Sequence, residues 1–180
     1  PAGGGARGGG GYAGGAGGGL RGGWRRGLQG GGWLRLSWAG EAGGRGATPV
    51  MQAIYHEELA KIGAPAILGR LGVSLLAPTL LVHGSPWQKE TYVEKILSGD
   101  LIFCQGFSEP DAGSDLAGLR ARAERRDGHW VLNGQKTWSS GAHYSDKSFL
   151  MARTAPEADA HRGISFVLGD RDQPGVAVGP

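Results

Sequence analysis

The spacing of apolar and polar side chains changes character midway through the 180-residue chain. From Thr48 onward Met51, Ile54, Tyr55, Leu59 and Ile62 recur at intervals of three and four, the repeat of a helix with one apolar face. Thr48-Pro49 offers an N-cap followed by proline at the first helical position, and Gly63 with Pro65 ends the run. Ser85-Pro86-Trp87-Gln88 repeats the device with a capping box from Ser85 to Gln88. Trp87, Val93, Ile96 and Leu97 form the stripe to be buried, and Gly99 is the stop. Between the two, Ala66 to Val82 is apolar on most sides, which predicts a helix packed among others.

After Asp100 the period shortens to that of strands. Leu119 to Glu124 alternates, and Asp127-Gly128 and Asn133-Gly134 are tight-turn dipeptides bracketing His129-Trp130-Val131-Leu132. Ser148 to Met151, Ile164 to Leu168 and Val176 to Val178 are further short strands between polar loops. Helices then strands in separate blocks predict segregated layers, an α+β fold rather than a doubly wound sheet. The boundaries that follow are a head over residues 1–23, a helical domain over 24–100 and a β-domain over 101–180.

Composition changes this picture only at the head. The chain has 37 glycines and a formal net charge of +3. Residues 1–50 hold 22 of those glycines, six arginines and one acid, a charge of +5, whereas residues 51–180 carry 13 bases against 15 acids. The basic balance thus belongs to the head and marks no nucleic-acid surface on the rest. Residues 1–23 offer Tyr12 and Leu20 as their large apolar side chains, too little to offset the entropy of ordering glycine, and are expected to be disordered. Their G-x-G-x-x-G matches, such as Gly3, Gly5 and Gly8, lack the flanking strand and helix of a dinucleotide site. Arg7-Gly8-Gly9 and Arg21-Gly22-Gly23 allow an RNA-binding reading, set against a badly translated or unprocessed leader.

One cysteine, Cys104, excludes an internal disulfide framework and a cysteine-based zinc cluster, and its apolar run Leu101 to Cys104 predicts a buried thiol. The five histidines show no ligand spacing, so no metal is expected. The longest apolar stretch, Ala64 to Val82, is broken by Pro65, Arg70 and Pro78 and makes a poor membrane span. With no secretory pattern ahead of it, the expected location is the cytoplasm. Beginning at Pro1 and stopping at Pro180 after a strand-like run, the chain reads as a fragment.

Two segments carry candidate chemistry. Gln105 to Asp115 (QGFSEPDAGSD) places small residues, a proline and hydroxyls at the junction of the two blocks. It reads either as a loop with free N–H groups facing an anion or heterocycle, or as an ordinary surface turn. Lys136 to Gly141 (KTWSSG) presents an indole and two hydroxyls, suited to the face and edge of a flat conjugated cofactor; Trp138 reads equally as a core residue.

Together the segments resemble the acyl-CoA dehydrogenase family. Its run Thr/Ser-Glu-Pro-x-Ala-Gly-Ser-Asp is matched at Ser108 to Asp115, and Asn-Gly-x-Lys-x-Trp followed by hydroxyl residues at Asn133 to Ser140, in a form most similar to the actinobacterial branch. Gly32-Trp33 to Gly46, Tyr55 to Ala60 and His83 to Gly99 resemble the family's helical domain.

The resemblance implies an N-terminal helical domain followed by part of an antiparallel β-barrel or sandwich middle domain, the C-terminal helical bundle being absent. It implies FAD held by Gln105, Gly106, Phe107, Ser108, Gly113, Ser114, Trp138, Ser139 and Ser140, with Ser114 also near the acyl-CoA substrate and Ser140 near flavin N5. The implied reaction is α,β-dehydrogenation of an acyl-CoA thioester to a trans-2-enoyl-CoA, with the catalytic base expected beyond residue 180. An electron-transferring flavoprotein is the implied acceptor, and a homo- or heterotetramer the implied assembly. An acyl-CoA oxidase-like flavoprotein and a non-catalytic subunit of a heteromeric dehydrogenase are the alternatives. Asp111 where glycine is usual, Ala39 for a proline after Trp38, and the polar run Ser145-Asp146-Lys147 depart from the pattern.

Overall fold

The computed structural model describes residues 16–159 and 161–179. Two compact units divide the chain between Ile102 and Phe103, one helical and one built on a sheet.

The helical unit contains α1 (Ala16–Gly30), α2 (Pro49–Lys61), α3 (Ala77–His83) and α4 (Pro86–Ser98). Residues 16–23, expected to lack structure, instead form the first half of α1; residues 1–15 of that predicted head lie outside the described residues. Arg25 and Leu28, both buried, anchor the later turns of α1, and a helix once nucleated adds preceding residues at low cost.

The two N-caps form as the sequence predicts. The Thr48 hydroxyl accepts from the Met51 N–H at 3.3 Å, and Ser85 and Gln88 close a reciprocal capping box. Gly99 ends α4 at φ 87°, a left-handed conformation that favours glycine. The apolar segment before α3 is not one regular helix. Its helical course begins near Arg70 and widens over Gly72–Leu76, where the Ala77 N–H reaches back five residues to Gly72 O. Pro78 follows at once; it has no N–H to give, and its ring would crowd the carbonyl four residues back in a regular helix.

Leu76, Ala77, Ile96 and Leu97 form the fully buried centre of this unit. Arg25 lies beside it with 2% of its surface exposed. Its guanidinium donates to Leu97 O at 3.1 Å, and to Ile96 O and Leu68 O, so one side chain satisfies carbonyls that the end of α4 leaves without helical partners. Burial lowers its pKa to about 10 against the opposing pull of Asp100.

The α4 stripe is buried at Val93, Ile96 and Leu97 but not at Trp87, and most of the α2 face is not buried. Trp87 is 63% exposed and packs edge-on against Tyr92 at 5.6 Å. On α2, Met51, Ile54 and Ile62 are all exposed, and the helix is tied down through Tyr55, which stacks on Trp33 at 5.5 Å and 4°. Spacing identified the helix, but burial needs a partner that the described residues do not supply.

The second unit holds β1 (Phe103–Gly106), β2 (Arg122–Arg126), β3 (His129–Asn133), β4 (Lys147–Arg153) and β5 (Ile164–Asp170). The pairings β2–β3 and β4–β5 are antiparallel as expected. The sheet is nevertheless mixed: β1 lies parallel to β4, Phe103 opposite Lys147 through Gly106 opposite Leu150, and β2 touches β4 in parallel at Arg122 and Arg153. The long crossover from β1 to β4, with the β2–β3 hairpin inside it, permits the parallel pair. Asp127 at φ 49° and Gly128 at φ 82° make the predicted two-residue turn. Val176 to Val178, predicted as a strand, pairs with none of the described strands, and Val176 and Val178 are exposed. The core gathers Phe103, Leu119, Ala123, Phe149 and Ala152, with Cys104 buried as expected. Among the described residues no helix is long and apolar enough to cross a membrane.

Arg25→Met removes the donor to three carbonyls and leaves them buried. Each unsatisfied group costs about 1–3 kcal/mol, partly relieved by relaxation. The variant is expected to lose about 2–4 kcal/mol, read by urea unfolding of the chain followed through its helical circular dichroism.

Candidate functional site

The chain leaves β1 at Gly106 and turns sharply at Pro110: Glu109 N donates to Ala112 O at 2.7 Å and Ala112 N to Glu109 O at 3.2 Å. Proline presets the φ of such a turn, and the closed four-residue loop swings the Glu109 side chain inward. Glu109 is 9% exposed. Its carboxylate accepts from the Arg120 N–H at 2.6 Å, the Ala121 N–H at 2.9 Å and Lys136 Nζ at 2.7 Å. Lys136 also donates to Phe107 O at 3.1 Å. Burial alone would raise the Glu109 pKa; the hydrogen bonds from Lys136 and the two amides, with the lysine charge, outweigh it and hold the carboxyl below its ordinary value.

These contacts bring together the two segments that the sequence singled out. Thr137 N donates to Ser108 O at 2.9 Å, so the segment after β3 runs alongside the loop after β1. Gly134, predicted as part of a turn, makes none. It sits at φ 154° with its Cα so close to Ala121 that a Cβ would lie 2.5 Å from the Ala121 methyl, and glycine is required for that approach.

The expected flavin residues fall into different settings. Gln105 is half-buried and Gly106 buried within β1. The Phe107 ring packs edge-on against Phe149 at 5.7 Å and Phe166 at 6.2 Å, and its carbonyl faces Lys136. Ser108 is half-buried, and Gly113 and Ser114 are exposed on the loop. Ser139 is half-buried and Ser140 exposed, the Ser140 N–H turning back to Trp138 O at 2.9 Å. Trp138 is no core residue: it is 89% exposed and sits at φ 57°, uncommon for a bulky side chain.

Asp111, on the outer side of the turn, lies 3.5 Å from the Arg120 guanidinium, which answers the unusual acid with a local cation. The polar run before β4 is also accommodated: Ser145 is buried, its hydroxyl donating to Gly141 O at 2.8 Å, and Lys147 pairs with Asp170. Lys136 is the residue whose role the sequence did not disclose. It stood inside a quoted motif, but its partner lies 27 positions away. No group of three or more His, Cys, Asp or Glu among the described residues could hold a metal.

The donor set fits a flat, conjugated cofactor better than a compact anion. An exposed indole in a strained conformation, followed by Ser139 and Ser140, offers a stacking face on a segment that carries hydroxyls. The Thr137 hydroxyl oxygen beside it is buried without a hydrogen-bond partner.

A helical unit leading into a mixed sheet that carries these two segments is the architecture of the N-terminal and middle domains of an acyl-CoA dehydrogenase. The family models agree: acyl-CoA dehydrogenase, N-terminal domain, matches residues 22–100, and acyl-CoA dehydrogenase, middle domain, matches residues 104–180. The chain belongs to the acyl-CoA dehydrogenase family of oxidoreductases. It is 42% identical over 145 residues to the acyl-CoA dehydrogenase IpdE1 of Mycobacterium tuberculosis (strain ATCC 25618 / H37Rv), an alignment covering 81% of this chain and 38% of that protein.

Among solved structures it is similar to the Tcur3481-Tcur3483 steroid ACAD, with TM-score 0.75 and 37% identity over 94% of this chain and 43% of the other. The ChsE4-ChsE5 complex from Mycobacterium tuberculosis gives TM-score 0.75 and 40% identity over 87% and 40%. A glutaryl-CoA dehydrogenase from Mycobacterium smegmatis in complex with FADH2 gives TM-score 0.50 and 36% identity over 57% and 25%. The chain thus spans well under half the length of the relatives it matches.

A carboxylate whose pKa is depressed on folding contributes stability that is present above its unfolded pKa and is lost as pH falls through the folded one. Glu109→Gln is therefore expected to flatten the acid limb of the stability profile between about pH 5 and pH 3, and to destabilise the chain at neutral pH. Unfolding midpoints across that range check it, and an unchanged acid limb would contradict the assignment.

Proposed function

We propose that this chain supplies the flavin-facing segments of an FAD-dependent acyl-CoA dehydrogenase, which removes hydrogens from Cα and Cβ of an acyl-CoA thioester to give a trans-2-enoyl-CoA. The observation that carries the reading is Trp138: a strained, 89% exposed indole followed by two serines, on a segment hydrogen-bonded to the Ser108–Asp115 loop. A tryptophan of that exposure has a surface to cover, and a flat isoalloxazine ring matches it in shape and polarity.

FAD, when bound, accepts the substrate's β-hydrogen as hydride. The chain's own residues bind and orient. Trp138 packs against the ring system, and the Ser140 hydroxyl donates at its edge. Gln105, Gly106, Phe107 and Ser108 line the loop that faces it, Phe107 through its backbone, since its ring is engaged with Phe149 and Phe166. Gly113 and Ser114, exposed and small, meet the phosphate-bearing parts of cofactor and acyl-CoA.

Glu109 and Asp111 are both engaged within the loop rather than offered to an α-proton. Glu109 is buried and already accepts three hydrogen bonds. A base must be within reach of the proton it takes, and the Glu109 carboxylate is buried and committed to Lys136 and two amides. Asp111 sits beside Arg120 on the exposed side of the turn. The base is assigned, on the family resemblance, to the part of the family's length that this chain does not span.

An electron-transferring flavoprotein is the proposed acceptor, and a tetramer the proposed assembly. The heteromeric form is favoured because two of the similar structures carry two-component names, the ChsE4-ChsE5 complex and Tcur3481-Tcur3483. The same names keep a non-catalytic subunit as the second reading, and a steroid-bearing acyl-CoA is a substrate to include in any panel.

Titrating the chain with FAD and following quenching of flavin fluorescence tests the reading. Weak binding is expected, abolished by Trp138→Ala. Ser140→Ala is expected to weaken it about two- to tenfold, the worth of one hydrogen bond. Equal affinity in Trp138→Ala would overturn the flavin assignment. Bleaching of the flavin band by an acyl-CoA panel is expected to be absent for this chain alone, since general-base catalysis contributes about a hundred- to ten-thousand-fold and the base is not among its residues.

A further inference from the structure

Trp138 is held in an unfavourable backbone conformation although its own side chain makes little contact with the fold. Something on either side of it must do the holding. C-terminal to it stands the short turn from Ser140 N to Trp138 O. On the N-terminal side there are two attachments. Thr137 N donates to Ser108 O, and Lys136, whose side chain is 14% exposed, reaches Phe107 O and the buried Glu109 carboxylate.

Glu109 is in turn fixed by the Arg120 and Ala121 amides, and the Ala121 carbonyl takes the Arg153 N–H of β4 at 2.8 Å. The Arg153 side chain returns to Ala117 O at 2.8 Å and Leu119 O at 3.2 Å. A continuous set of hydrogen bonds therefore runs from the central strand through one buried ion pair to the residue preceding Thr137-Trp138.

We propose that the Lys136–Glu109 pair is the positioning device of the cofactor-facing segment: it clamps the stretch 137–140 against the Ser108 loop and thereby sets the orientation of Trp138 and Ser140. The inference rests on the flavin reading of these segments and names what aims them. Lys136 and Glu109 are positioning residues; neither is asked to touch cofactor or substrate. A charge-assisted pair out of water suits the task, because such bonds are short and directional, and a partner left buried alone is strongly disfavoured.

The experiment compares the wild-type chain with Lys136→Met, Lys136→Arg and Ala152→Gly. The last loosens the fully buried face of β4 without touching the pair and serves as the stability control. Amide hydrogen exchange at Thr137 and Ser140, without cofactor, is the first readout. Lys136→Met is expected to speed exchange there about tenfold or more, the effect of losing one charge-assisted hydrogen bond. Lys136→Arg is expected to restore slow exchange in large part, and Ala152→Gly to leave these two amides near wild type.

FAD affinity is the second readout and is expected to fall in Lys136→Met beyond any fall in Ala152→Gly. Unchanged exchange at Thr137 in Lys136→Met overturns the proposal whatever FAD does. So does equal acceleration in the stability control, which would make the pair a general structural contact. If exchange responds as expected while the wild-type chain takes no FAD, the clamp stands and the flavin reading fails.

Discussion

A carboxylate can be buried only where enough donors surround it, and satisfying Glu109 dictates the course of the sheet unit on three sides. The turn at Pro110 points it inward, the approach to β2 supplies the Arg120 and Ala121 amides, and the segment after β3 supplies Lys136. These three stretches are separated in sequence; the β2–β3 ladder ends beside two of them, and the Thr137 N to Ser108 O bond joins the third. An apolar side chain at position 109 would leave two inward-pointing N–H groups unpaired, each at a cost comparable to the net worth of several ordinary hydrogen bonds. One ion pair thus links the loop after β1, the approach to β2 and the segment after β3.

The helical unit solves the converse problem with the converse charge. The end of α4 leaves carbonyls without N–H partners, and Arg25 collects two of them together with Leu68 O. A guanidinium suits this because its donors fan out in a plane and serve several acceptors at once. Gly99 complements it: a Cβ there would meet the Arg25 side chain at 3.0 Å, so the glycine that terminates α4 also makes room for the arginine that caps it. In each unit a buried ion gathers backbone groups of one polarity, carbonyls at Arg25 and amides at Glu109.

How much of this the sequence disclosed follows from the range of each interaction. Thr48, the Ser85–Gln88 box and Asp127-Gly128 act over two or three residues, and each could be read directly because the relevant atoms are neighbours along the chain. Arg25 could not, since its acceptors lie 43 to 72 positions away and an arginine in a glycine-rich stretch carries no local mark of burial. The Asn133-Gly134 dipeptide was misread because glycine answers two needs, a left-handed turn and a close approach, and the approach involves Ala121 in another segment. The exposure of Trp87 and of much of the α2 face has a related reason: periodicity states which side chains share a face, and only the packing partner decides whether that face is covered. The family motifs marked the candidate segments, but not the settings of Phe107, turned into an aromatic cluster, and Trp138, exposed to solvent.

The contrast between those two aromatics bears on how such a site stays usable. Phe107, Phe149 and Phe166 form a packed cluster beneath the loop, with Phe149 and Phe166 stacked at 5.7 Å and Phe107 edge-on to both. That cluster gives the loop a rigid floor, since aromatic packing adds to apolar burial without requiring further polar partners. Trp138 stands above no such floor. Its backbone strain is sustained by its neighbours, and strain of this kind persists where surrounding bonds over-determine the conformation. A side chain held this way keeps one face free, since none of its stability comes from burying that face in the protein. The arrangement separates the exposed indole from the residues that hold its backbone, so its face can be covered or uncovered without disturbing the core.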